Sequence, residues 1–228
     1  MSKHLNMDFS QKVVIHTEEM EWSPSPSPKV FRKQLARAEA ESGHATSVVK
    51  YAAGASFDSH QHPKGEEIWV LDGVFSDEHG DYPAGTYLRN PAGSSHAPFS
   101  KNGCALLVKL CQFQSTDMAE IRIDTNTAEW RAGIGGLSVM PLHQHLHENT
   151  ALVKWPKGEI FQAHTHFGGE EIFVLSGTFK DQYGIYPKGS WIRSPHLSGH
   201  HPYVDEETII WVKTGHLPLI DSYQDDQT

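Results

Sequence analysis

Residues 54–73 read Gly-Ala-Ser-Phe-Asp-Ser-His-Gln-His-Pro-Lys-Gly-Glu-Glu-Ile-Trp-Val-Leu-Asp-Gly. Residues 158–177 read Gly-Glu-Ile-Phe-Gln-Ala-His-Thr-His-Phe-Gly-Gly-Glu-Glu-Ile-Phe-Val-Leu-Ser-Gly. In each stretch two histidines alternate and a glutamate follows four residues after the second. Alternate side chains of a strand share a face, so His60 and His62 can point to one side, and so can His164 and His166. Glu66 and Glu170 return to that side across a short turn. Further along, Gly85, Pro91 and His96 are matched by Gly189, Pro195 and His200. Each partner lies 104 positions on, since 164 − 60 = 104. Two sets of three imidazoles and one carboxylate are thereby defined: His60, His62, Glu66 and His96, then His164, His166, Glu170 and His200. Such a set suits a divalent transition metal and leaves positions open when the ion prefers six ligands, whereas structural zinc sites are closed by four ligands, usually including Cys. Two ions per chain are expected, zinc or iron first, with manganese or nickel as alternatives.

The repeat reaches beyond the ligands. Glu66-Glu67-Ile68 matches Glu170-Glu171-Ile172, Phe75, Asp77 and Gly80 match Phe179, Asp181 and Gly184, and Tyr82-Pro83 matches Tyr186-Pro187. Upstream, Ile15 and Trp22 match Ile123 and Trp130 at an offset of 108, so four extra residues lie in the first copy. The run Ser23-Pro24-Ser25-Pro26-Ser27-Pro28 accommodates them. Its place inside the first repeat makes it a surface loop or arm rather than a domain linker. The junction falls near Gln114 to Met118, giving domains 1–116 and 117–228.

Short segments rich in β-branched and aromatic residues, such as Ile68–Leu71 and Ile172–Leu175, are punctuated by Gly, Pro, Asn and Asp. That pattern predicts an all-β sandwich or barrel. Phe31–Ser42 is read as a hairpin region, and the acidic tail Asp221–Thr228 as disordered. The matched aromatics Trp69/Phe173, Tyr87/Trp191 and Phe57/Phe161 are assigned to the core, and Tyr82 and Tyr186 to packing. Glu67 and Glu171 should face away from the ligands and pair with Arg89 or Arg193. His143, His145 and His147 read as an exposed hairpin flank, with a second metal cluster or a substrate contact as the alternative. His196 is a candidate for the site mouth, and His201 is a rival to His200 that the spacing disfavours.

With 228 residues, net charge −9 and 38% hydrophobic content, the chain has no basic surface for nucleic acid. No apolar run is long enough to span a bilayer. Residues Met1 to Thr17 do not read as a secretory signal, which makes the cytoplasm the expected location. Cys104 and Cys111 have no cysteine counterparts in the second copy (Thr208 and Gly215), so two reduced thiols are expected.

The spacings G-x5-H-x-H-x3-E-x6-G and G-x5-P-x-G-x2-H resemble the two motifs of the cupin family. Gly54–Gly73 and Gly85–His96 fit both. The second copy departs once, at Leu197 in place of the last glycine, which should loosen the turn before His200. The resemblance implies two tandem cupin barrels of the double-stranded β-helix, jelly-roll kind, a bicupin. The text between the ligands is similar to the cupin of ChrR-type anti-sigma factors, whose broad cupin group also includes iron-dependent enzymes cleaving acetylacetone and dihydroxyacetophenone. That likeness implies either a metal-dependent, dioxygenase-type enzyme acting on a small oxygenated molecule, or a zinc-bound sensor that works through a protein partner. It also allows a homodimer built on edge strands.

Overall fold

In a computed structural model of the chain, residues 4–39 and 43–219 are described. The tail Asp221–Thr228 and the Glu41-Ser42 end of the expected hairpin lie outside them. Among the described residues the elements are strands, apart from a three-residue 3-10 turn at Thr17–Glu19. Both copies of the repeat form a β-barrel, as the motif resemblance implies.

The first unit is built on a sheet in the order Ile121–Asp124, Thr86–Asn90, Glu66–Asp77, Cys104–Leu110, Ala45–Tyr51, Val30–Arg37 and Ser23–Pro24. Its neighbours run antiparallel. The Glu66–Asp77 strand serves two layers. Its first half pairs with Cys104–Leu110. The register then slips between Ala105 and Leu106, and Val74–Asp77 pairs with Gly80–Pro83 instead. A bulge of this kind bends a strand and increases its twist, which is what closing a barrel needs. Gly73 sits at the bend with φ +72°, and a Cβ there would lie 2.2 Å from the Gly103 carbonyl oxygen. The motif glycine is therefore required by backbone approach as well as by conformation.

Inside the first barrel, Val30, Ile68, Val70, Phe75, Leu88 and Leu106 form one buried cluster. Of these, Ile68, Val70 and Leu88 alternate along their strands with Glu67, Trp69, Tyr87 and Arg89. Trp69 and Tyr87 are buried as expected, but they stand opposite each other on the other face of the sheet.

The second unit repeats the plan: Val13–His16, Ser190–Ser194, Glu170–Ser176, Thr208–Thr214, Glu148–Trp155, Ser138–His145 and Arg131–Ala132. Here the register slips between Val174 and Ser176, and Gly177 follows with φ +72°. Ile172, Val174, Phe179, Ile192 and Ile210 lie in its core with Trp155 and Tyr186.

The compact units cross the repeat boundary. Asp8–Glu19 belongs with the second unit, and the first unit extends to Ala128. Val13–His16 pairs with Ser190–Ser194, and its repeat mate Ile121–Asp124 pairs with Thr86–Asn90. Each copy's first strand thus completes the sheet of the other unit.

The Pro/Ser run is not a plain loop. Ser23–Pro24 pairs with Phe31 and Arg32 as an edge strand, and Val30 closes the hairpin through Ser25 N–H donating to its carbonyl at 2.9 Å. An edge strand tolerates proline because no further ladder bond is demanded of it. Phe31–Arg37 lies in a hairpin with Ala45–Tyr51, as read from the sequence. Both cysteines are free thiols.

Candidate metal centres

Two strand ends carry the ligands of each site. His60–Gln61 pairs with Ser95–His96, setting His60 opposite His96. In the second barrel His164 stands opposite His200. After His62 the chain turns through Pro63-Lys64-Gly65, with Gly65 N–H donating to the His62 carbonyl at 3.3 Å. Gly169 N–H does the same to His166 at 3.1 Å. These turns deliver Glu66 and Glu170 to the first position of a central strand, pointing inward.

The four expected ligands converge in both barrels. One ligand atom from each of His60, His62, Glu66 and His96 lies within 4.8 Å of the others, and the same holds for His164, His166, Glu170 and His200. His62 Nε2 and His96 Nε2 each lie 3.4 Å from Glu66 Oε2. In the second site the Glu170 distances are 3.4 Å to His166 and 3.6 Å to His200. Two atoms bound ~2.1 Å from one ion stand roughly 3.0–3.4 Å apart, so these are the edges of a coordination polyhedron.

The donors are also chemically free for such use. The buried Nε2 atoms of His62, His96 and His166, and Oε2 of Glu170, have no hydrogen-bond partner. Leaving several buried polar atoms unsatisfied at one point is costly unless a ligand fills that point. Nδ1 of His60 lies 3.0 Å from the Asp58 carbonyl, and Nδ1 of His164 lies 2.9 Å from that of Gln162. A carbonyl only accepts, so the proton sits on Nδ1 and the Nε2 lone pair faces the centre. Burial and neighbouring imidazoles push His62 down to about 4 and His166 down to about 3. His96 and His164 are lowered as well, chiefly by burial. All four stay neutral, the form that binds metal. Burial also pushes Glu170 up to about 7.

Sequence reading missed the carboxylates behind the ligands. Asp77 Oδ2 lies 3.2 Å from His96 Nδ1, and Tyr82 OH donates to Asp77 Oδ1 at 3.1 Å. The copy is Asp181 Oδ2 at 3.4 Å from His200 Nδ1, with Tyr186 OH donating to Asp181 Oδ1 at 2.8 Å. Burial opposes ionisation of Asp181, but bonds from His200, Tyr186 and the Tyr183 amide outweigh it and hold the carboxyl well below its usual range. Tyr82 and Tyr186 therefore fix an acid that orients a ligand, beyond the packing expected of them. The one signal for this was the matched Phe-x-Asp-x-x-Gly spacing. Glu66 has a further partner, Asn90 Nδ2 at 2.9 Å. Its counterpart position holds Ser194.

Other candidates resolve as follows. Glu67 faces away from the centre and pairs with Arg89 at 3.3 Å, with Tyr87 OH also donating to it. The opposite face and the Arg89 pair are as expected, and Glu67 is buried there, 2% exposed. Arg89 also pairs with Asp117, and its guanidinium lies 3.8 Å over the Phe113 ring. Glu171 accepts from Trp191 Nε1 at 2.7 Å and lies 3.1 Å from His216 Nε2. His196 Nδ1 accepts the Gly168 N–H at 2.8 Å and holds the turn before Glu170. His201 is exposed and stays outside the cluster. His143 and His145 end the Ser138–His145 strand, half-buried on the hairpin flank. Leu197 does not loosen the second site. It adopts φ +60°, and its N–H donates to the His166 carbonyl at 2.9 Å, as Gly93 does to His62.

A family model for the ChrR Cupin-like domain matches residues 10–114 and again residues 118–218. The chain belongs to that family. Among solved structures, this cupin is similar to a protein of Nostoc punctiforme provisionally designated a dioxygenase. The TM-score is 0.76 and the identity 15%, over 95% of this chain and 88% of that one. It is also similar to the formate complex of Lactobacillus farciminis oxalate decarboxylase, with TM-score 0.65 and 14% identity over 91% and 87% of the two chains. A cupin 2 conserved barrel domain protein from Leptotrichia buccalis matches with TM-score 0.61 and 12% identity over 92% and 98%. At these identities the likeness is one of fold. Among curated proteins there is no match. No helix among the described residues is long and apolar enough to cross a membrane.

Proposed function

We propose that the protein is a metal-dependent bicupin enzyme acting on a small oxygenated organic molecule, with one divalent ion held by three His and one Glu in each barrel. The observation that carries this reading is a cavity of about 380 Å³ that opens onto His60, His62 and Glu66. It falls in the range of small-molecule sites. A purely structural ion needs no such space beside it. A smaller cavity of about 260 Å³ adjoins His164, His166, Glu170 and His200.

A bound ion would supply Lewis acidity and, if it is iron, a place where dioxygen can be activated. The chain's own part is to place and confine. Tyr51, Phe57, Ile68, Phe75, Leu106 and Val108 line the first cavity and keep water from an apolar substrate. Asp77 holds the His96 ring in one tautomer and orientation. Asn90 holds one carboxylate oxygen of Glu66, limiting how that group can swing. The named dioxygenase and decarboxylase folds are compatible with this reading.

The family match favours a second reading, a zinc-bound regulatory module acting through a protein partner. Metal analysis of protein purified without chelator, joined to oxygen uptake, separates the two. Iron with oxygen consumption on β-dicarbonyl or hydroxyacetophenone compounds supports the enzyme. Zinc with no turnover of any compound in that panel contradicts it.

A further inference from the structure

The two barrels share their ligands but not their cavities. Arg32 and Arg37 line the first cavity together with Ser47. All three belong to the Val30–Arg37 and Ala45–Tyr51 hairpin, in which Arg32 stands opposite Val49 and Arg37 opposite Ala45. In the second barrel the residues opposite Val153 and Asn149 are Val139 and Gln144. Ser47 is matched by Ala151 at the offset of 104. The second cavity is lined by Leu137, Val153, Trp155, Phe161 and Ile210 around its ligands and carries no arginine or lysine. In a chain of net charge −9, two guanidinium groups have been placed in one barrel interior.

A third feature lies beside these arginines, each of which also has a partner within the chain. Ser47 is 4% exposed, and its hydroxyl has no hydrogen-bond partner. Buried hydroxyls are almost always bonded, so an orphan lining a cavity marks a place for a ligand oxygen. Arginine presents paired donors in a fork that fits a carboxylate. Between the two ends the walls are apolar: Val49, Tyr51, Ile68, Leu106 and Val108. Ser47 pairs with Val108, which pairs with Ile68, two residues from Glu66. Two strand spacings and a step of two residues separate the Ser47 and Glu66 backbones, roughly 12 Å.

We propose that the first barrel binds a small carboxylate with an apolar body. The carboxylate rests on Arg32, Arg37 and the Ser47 hydroxyl, and the opposite end, bearing a carbonyl or hydroxyl, faces His60, His62 and Glu66. In the second barrel the cavity beside His164 has no such arginine pair, and Lys12 lines a separate cavity at His166 and His200. The proposal deepens the enzyme reading by naming the substrate class of the first site, and it rests on that reading.

The test is calorimetric titration of zinc-loaded full-length protein with 4-acetylbenzoate and with its neutral analogue 4-acetylbenzamide, zinc per chain being measured in parallel. The acid should bind at least about tenfold more tightly than the amide, the scale of charge-assisted hydrogen bonds. Arg32→Gln/Arg37→Gln should abolish that preference while zinc per chain stays unchanged. Should the double variant fail to fold, Arg32→Gln and Ser47→Ala singly should each weaken the acid several-fold and leave the amide alone. Equal binding of acid and amide by the parent protein, or a preference untouched by these variants, overturns the proposal. If the parent retains no zinc, the metal-centre reading fails, while arginine-dependent preference for the acid is still read directly.

Discussion

At the scale of single residues, the decisive contacts are those that leave a lone pair pointing at the centre. His60 and His164 achieve this through a carbonyl two residues upstream. His96 and His200 achieve it through a buried aspartate 19 residues away. The first kind was implicit in the sequence, since the alternation of His60 with His62 already set the direction of the rings. The second was not, because a side-chain bond between separate strands has no local pattern. Asp77 showed itself only as a matched position. Outer partners of metal ligands tune affinity by tenfold to a hundredfold. Asp77→Asn should therefore weaken zinc in the first barrel by about that factor, and Asp181→Asn in the second, as read by competition with a chromophoric chelator. A loss confined to the barrel that carries the change is expected; unchanged affinity would remove Asp77 and Asp181 from the site.

At the scale of elements, turns decide whether the ligands meet. Gly93 and Leu197 occupy the same turn in the two barrels, with φ +85° and +60°. The sequence departure at Leu197 suggested a looser second site, but the turn and its hydrogen bond persist, and the cost falls on the backbone. A side chain in the left-handed region costs roughly 1–2 kcal/mol. Leu197 is also 56% exposed, so little packing is lost with it. Leu197→Gly should raise stability by about 1 kcal/mol in urea unfolding, without changing the zinc stoichiometry. A stability drop of that size would show that Leu197 contributes contacts outweighing its strain. Strand identity was legible from β-branched runs and Gly/Pro punctuation. Strand partnership was less so. Ile15 and Ile123 were recognised as repeat mates, yet nothing local indicates that each strand would complete the opposite unit's sheet. A pattern of period two fixes which face is buried, not which edge is joined.

At the scale of the whole molecule, four imidazoles that burial depresses, His62, His96, His164 and His166, make the metal-free protein sensitive to acid. The folded chain holds His62 down to about 4 and His166 down to about 3, against an ordinary value of 6.5. From pH 6.5 downward the unfolded chain therefore takes up protons that the folded chain refuses, and stability falls as pH falls. Glu170, pushed up to about 7 from 4.5, works the other way, because the folded chain binds its proton first. Two strongly depressed histidines, helped by His96 and His164, outweigh one glutamate. Chelator-treated protein should lose on the order of 2 kcal/mol between pH 7 and pH 5 in urea unfolding. Stability that holds or rises over that interval contradicts the neutral-imidazole picture. The most direct test of the central claim is metal counted per chain by mass spectrometry, on protein purified without chelator and then equilibrated with zinc. Two ions are expected for the parent, one each for His60→Ala and His164→Ala, and none for the double variant. A parent that holds no ion, or a count that ignores both substitutions, would contradict the account at its root.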